Sequence, residues 1–129
     1  MRALPPADRQ QDGASAEDAA LVHLQGEGLI LLARNARYPF GEIDLVMREG
    51  ATLVFVEVRF RRPSRFGGGA LSVDANKRRK IARASQAWLS SHKQYSQAGC
   101  RFDVVAAMPG ANGIECEWIR AAFTLDDLW

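Results

Sequence analysis

Long apolar runs are missing from this sequence. The longest stretches, Leu29–Ala33 and Leu53–Val58 (the second interrupted by Glu57), fall far short of a bilayer span. The opening residues carry Pro5, Pro6 and several charges but no apolar run of the signal-peptide kind, so a cytoplasmic location is expected. Histidine is limited to the isolated His23 and His92, and there is no CxxC, which excludes a zinc site. Gly67-Gly68-Gly69 is not followed by Lys-Ser or Lys-Thr, so it is no P-loop. Ser85, Ser90 and Ser91 lack the His and Asp context of a hydrolase triad. No internal repeat at solenoid spacing is visible.

Cysteine is scarce too, with only Cys100 and Cys116. If their strands pair around the Pro109–Gly113 turn, Cys116 faces a residue near Ala106. Cys100 then lies roughly 20 Å away at the rise of a strand. A disulfide needs Cα atoms within about 7 Å, so both thiols should stay reduced.

What is present is a chain of 129 residues, 47% apolar, enough for one packed core. Residues 1–12 read as a flexible N-terminal tail and 13–129 as a single domain. Net charge is only +2 but unevenly spread. Between Arg59 and Arg83 stand nine basic residues against one acid, Asp74. A polyanion partner, nucleic acid first, fits that bias, and so does a solvated basic helix face.

Ser15 can cap a first helix that Gly26 and Gly28 stop. Leu29 to about Arg37 reads as a strand ended by Pro39. Gly41–Arg48 and Thr52–Arg61 alternate with period two around Glu49-Gly50, which predicts a hairpin with one apolar face. Pro63–Val73 is loop, and Asp74 begins a helix to about Ser91 that buries Ile81, Ala84, Trp88 and Leu89. Arg101–Met108 and Ile114–Phe123 are two further strands. The order helix, three strands, helix, two strands predicts an α/β fold with a small mixed sheet flanked by helices.

A turn at Glu49-Gly50 sets Leu45 opposite Val54 and Ile43 opposite Val56. Glu42 then faces Glu57 directly, Asp44 lies diagonally from Glu57, and Arg59 continues the polar face. Opposed carboxylates repel, or hold a proton, unless a cation sits among them. Diagonal neighbours about 7–8 Å apart leave room for two carboxylates to meet one ion at about 2.1 Å. Hard oxygen ligands favour Mg²⁺ or Mn²⁺. The same residues also suit an exposed face whose acids are neutralised by Arg48, Arg59 and Arg61.

Gly41-Glu42-Ile43-Asp44-Leu45-Val46 followed by Leu53-Val54-Phe55-Val56-Glu57-Val58-Arg59 resembles the YraN-like family of bacterial proteins. That family looks like a branch of the restriction-endonuclease-like, or PD-(D/E)xK, nuclease superfamily. Ala16-Glu17-Asp18-Ala19-Ala20, Asn35-Ala36-Arg37, Arg65-Phe66-Gly67-Gly68, Lys77-Arg78-Arg79, Arg101-Phe102-Asp103-Val104 and Ala122-Phe123 match further blocks in order. The resemblance runs from about Gly13 to Phe123. It implies a restriction-endonuclease-like core and a metal-dependent nuclease acting on DNA. Asp44 and Glu57 correspond to the metal-binding acids, with the carbonyl of Val58 as a further ligand. Arg59 stands where the superfamily's Lys usually is, and Glu17 matches a helix carboxylate that joins the site in resolvase-like members. A helix N-terminal Glu favoured by the dipole is the plainer account of Glu17.

Two residues depart from the pattern. Ala16 replaces the Gly that usually precedes the helix Glu. Arg59 stays charged at any relevant pH and cannot act as a base, although it can position water or stabilise developing charge. Loss of hydrolysis with retention of nucleic-acid binding is therefore the second expectation, and a protein-interaction domain the third. Arg61, Arg65, Lys77, Arg78 and Arg79 are the expected nucleic-acid contacts, through phosphate rather than base. Asp103 is expected to pair with Arg101 or Arg120 in a structural role.

Overall fold

In the computed structural model the described residues are 5–61 and 73–124, with side chains described from Ser15 onward. The chain runs α1 (Pro5–Gly26), β1 (Ile30–Tyr38), β2 (Gly41–Glu49), β3 (Thr52–Phe60), α2 (Ala75–Ser91), a 3₁₀ turn (Lys93–Tyr95), β4 (Cys100–Gly110) and β5 (Gly113–Phe123). This is the expected order of helix, three strands, helix and two strands. The strands form one sheet in the order β1-β2-β3-β4-β5. Its β3–β4 pair is parallel and the others antiparallel. Parallel neighbours need a crossover connection, and α2 provides it.

Helix α2 begins where its chemistry says it should. The Asp74 side chain accepts the Lys77 N–H at 2.8 Å, closing one of the unpaired donors of the first turn. Ile81, Ala84 and Trp88 recur on one stripe and are buried against Ile43, Val46, Leu53 and Phe55. Helix α1 covers the opposite side of the sheet, where Ala20 and Leu24 meet Leu45, Met47, Val54 and Val56. It starts at Pro5, so Ser15 lies inside it rather than capping it. Proline suits a first helical turn, where its missing N–H has no partner to lose.

The hairpin differs from expectation in two ways. Its turn is Gly50-Ala51, flanked by the pair Glu49–Thr52, and Leu45 faces Val56 while Met47 faces Val54. Gly50 takes φ +59°, which favoured two-residue hairpin turns demand of their first position. The register is thus shifted by two residues, which preserves which side chains share a face. The hairpin also has two apolar faces, because Leu53 and Phe55 point to α2 while Val54 and Val56 point to α1. Burial on both sides is the rule for strands flanked by helices.

Among the described residues no helix is long and apolar enough to cross a membrane. Both cysteines are free, and Cys116 pairs with Ala107, one residue from the expected position.

Candidate metal centre

Ladder pairing between β2 and β3 runs from Glu49–Thr52 to Leu45–Val56 and stops there. The next two residues, Asp44 and Glu57, sit where the strands part. Asp44 Oδ2 accepts the Val58 N–H at 2.8 Å, so a side chain takes a donor that a strand partner would otherwise use. Glu57 is 9% exposed and hydrogen-bonded to Asp44. The two acids are closer than the expected diagonal placement. Glu42 is turned away instead, to Arg37 at 3.1 Å.

The Asp44 carboxyl is pushed up to about 7, first by burial and then by the Glu57 charge. The hydrogen bond to Glu57 and the Glu42 charge push the same way, and the Val58 N–H pulls against them. Glu17 is raised as well, by burial and then by the Asp44 charge. It lies 3.4 Å from the Arg34 guanidinium and bonds the Asn35 side chain. Its place well inside α1 removes the helix-dipole account of this residue. Asn35 sits at φ 53°, a left-handed conformation that asparagine tolerates better than most residues. Sequence reasoning gave Asn35 no role, and its place in the Asn-Ala-Arg block was the only signal.

Arg59 is half-buried and lines a cavity of about 230 Å³ with Glu57, Val58, Phe60, Asp74 and Lys77. Lys77 brings its Nζ to 3.4 Å from Glu57 Oε2. A residue expected only to touch phosphate therefore reaches the acidic pair. The Arg61 N–H extends the β3–β4 pairing by bonding Ala107 O at 2.7 Å. Arg78 donates through Nε to the Val73 carbonyl at 2.6 Å and lies 5.5 Å from the centre of the Phe123 ring. That side chain ties the helix start to the core. Arg79 lines a separate groove beside the centre, and Arg65 lies outside the described residues.

Among the described residues no three Asp, Glu, His or Cys side chains converge into a ready-made cage. Mg²⁺ does not need one. It is commonly held by one or two carboxylates and completes its shell with water and substrate phosphate. Two acids crowded enough to retain a proton are a donor set that a cation relieves.

A pH dependence follows from that proton. An unfolded aspartate titrates near 3.9, so between about 4 and about 7 the folded chain holds a proton that the unfolded chain has lost. The stability this gives is full below the unfolded value and disappears as pH rises through the folded one. In EDTA, wild type should lose stability relative to Asp44→Asn between about pH 4 and about pH 7, read from urea midpoints. Mg²⁺ should offset that loss at the upper pH, and its affinity should weaken about tenfold per unit below about pH 7. A difference between the two proteins that stays flat with pH would show that Asp44 holds no such proton.

A family model described as "Uncharacterised protein family UPF0102" matches residues 16–107. The matched span holds Glu17, Asp44, Glu57, Arg59 and Lys77. A UPF0102 protein of Xanthomonas campestris is 55% identical over 122 residues, covering 95% of this chain and 98% of its own. One from Xanthomonas oryzae is 53% identical over 122 residues, with the same coverage. Another, from Pseudomonas fluorescens, is 49% identical over 116 residues, or 88% of this chain and 94% of its own.

Proposed function

The chain belongs to the UPF0102 family, and from that premise we propose that it is a cytoplasmic metal-dependent nuclease of the restriction-endonuclease-like, PD-(D/E)xK kind, hydrolysing phosphodiester bonds in DNA. One observation carries the reading: Asp44 and Glu57 meet where β2 leaves β3, with the Lys77 ammonium against Glu57. The two acids, with the Val58 carbonyl, would hold Mg²⁺ or Mn²⁺. Such an ion polarises a phosphoryl oxygen and lowers the pKa of water.

The protein's own groups supply the rest. Lys77 is the amine missing from position 59. Its place beside Glu57 lets it orient an attacking water on the side of the pair that faces α2. The permanently charged Arg59 guanidinium stabilises negative charge building on the phosphoryl group. Glu17 adds negative potential at Asp44, which strengthens the attraction for a cation. Binding without hydrolysis is the second reading, which Arg59 permits. The Lys77 ammonium, set at the acids from another element, supports the hydrolytic reading instead.

The test is incubation of single-stranded, duplex and branched DNA with Mg²⁺ or Mn²⁺, in which metal-dependent products are expected. Salt-sensitive binding with no product from any of them would decide for a binding module. Within the same assay, Lys77→Met should lower kcat roughly a hundredfold with KM little changed. An unaltered kcat would reduce Lys77 to an exposed ion pair of small worth.

A further inference from the structure

A second hollow, of about 670 Å³, lies beside the acidic pair, between the β1–β2 turn and α2. Its wall is set by Gly41, where an added Cβ would come within 2.6 Å of the Lys80 carbonyl oxygen. Only glycine lets the turn approach the helix main chain this closely. The lining is cationic, with Lys80, Arg79 and Arg83 projecting from exposed positions of α2. Its acid, Glu42, is already paired with Arg37.

The groove also holds an aromatic stack. The Tyr38 and Phe40 rings lie 5.8 Å apart with planes 8° from parallel. The Arg83 guanidinium sits 4.8 Å from the Phe40 centroid, which extends the column with a flat cation. A solvated helix face needs none of this, and an acidic peptide offers carboxylates but no flat faces to stack. Bases in a duplex are already stacked, whereas unpaired bases add to aromatic rings and guanidinium planes.

We propose that this groove binds an unpaired nucleotide of a single-stranded nucleic acid, its phosphates on Arg79 and Lys80 and its base on the Tyr38–Phe40–Arg83 column. This deepens the nuclease reading by giving the substrate a single-stranded part next to the bond that is cut. Lys77 lines both hollows, so a strand in the groove continues toward Asp44 and Glu57.

The experiment measures anisotropy of labelled oligothymidine, oligouridine and a DNA duplex with the whole protein in EDTA, where binding is read without cleavage. Phe40→Leu should weaken single-strand binding about fivefold or more and leave duplex binding unchanged. Arg83→Gln does not touch the core, so it keeps the test valid should Phe40→Leu fail to fold. It should weaken the single strand more than the duplex and lower the single-strand salt slope by about 0.7. Loss shared equally by single strand and duplex, or no loss in either variant, overturns the proposal. So does binding of polyglutamate as tight as that of oligothymidine. The oligouridine arm tells RNA from DNA, and stacking losses on either polymer support the groove. Stacking losses without cleavage of any DNA would defeat the nuclease and leave the groove, and cleavage with binding unchanged in both variants would do the reverse.

Discussion

Glu57→Ala is expected to lower Mg²⁺-dependent cleavage by about a thousandfold or more while leaving the protein folded. A metal contributes several kcal/mol to phosphoryl transfer, and Asp44 alone is a poor anchor for it. The effect on stability should be small and of the opposite kind to an ordinary core truncation. Glu57 lies beyond the last ladder pair of β2 and β3; it would lose its hydrogen bond to Asp44 and its pair with Lys77, which is itself half exposed. With the ammonium half in solvent, such an ion pair is worth on the order of 1 kcal/mol. Against that small loss, removing the Glu57 charge relieves the repulsion that adds to burial in keeping Asp44 protonated. The Asp44 carboxyl should fall back from about 7, and the midpoint of urea unfolding should hold or rise. Cleavage that survives the substitution would sink the assignment. A large drop in stability would make Glu57 a structural residue instead.

How much of this was readable in advance depended on distance along the chain. Helix α2 was legible because its cap and its stripe are local: Asp74 bonds three residues ahead, and Ile81, Ala84 and Trp88 repeat at helical spacing. The hairpin was legible in parity but not in register. Alternation fixes which side chains share a face, and a shift of two residues leaves that unchanged, so Asp44 was placed diagonally from Glu57 rather than beside it. The unbroken apolar run Leu53-Val54-Phe55-Val56 was itself a sign of a strand covered on both sides, and reading the hairpin as one-faced did not carry through the helices expected to flank the sheet. No local pattern ties Lys77 to Glu57. Parallel pairing of β3 with β4 returns the chain over the end of β3 and sets the first turn of α2 on the acids. The left-handed backbone of Asn35 was equally out of reach, since sequence carries no φ.

The Arg-Phe-Asp-Val block shows how the scaffold and the chemistry separate, and Asp103→Ala should cost roughly 3–5 kcal/mol of stability. Asp103 is fully buried. It accepts from Arg101 Nε at 3.0 and 3.2 Å, from Trp118 Nε1 at 2.9 Å and from the Ala121 N–H at 2.9 Å. The last of these holds a bulge, because Ala121 takes φ 49° where the β4–β5 register shifts. Arg101 also reaches Glu49 at 2.7 Å, as does Arg120, and these two guanidiniums (Arg120 first) hold the Glu49 carboxyl down to about 2. One buried carboxylate thus joins β4, β5 and the end of β2. Alanine would leave the indole N–H, the Ala121 N–H and part of a guanidinium without acceptors, and Arg101 Nη2 already has none. For a domain of this size the melting temperature should fall by roughly 10 °C or more. Cleavage per folded molecule should be unchanged, the reverse of the pattern at Glu57. A loss below about 1 kcal/mol would mean that water replaces the carboxylate at no great cost. A loss of cleavage in molecules that remain folded would place Asp103 in the chemistry rather than beneath it.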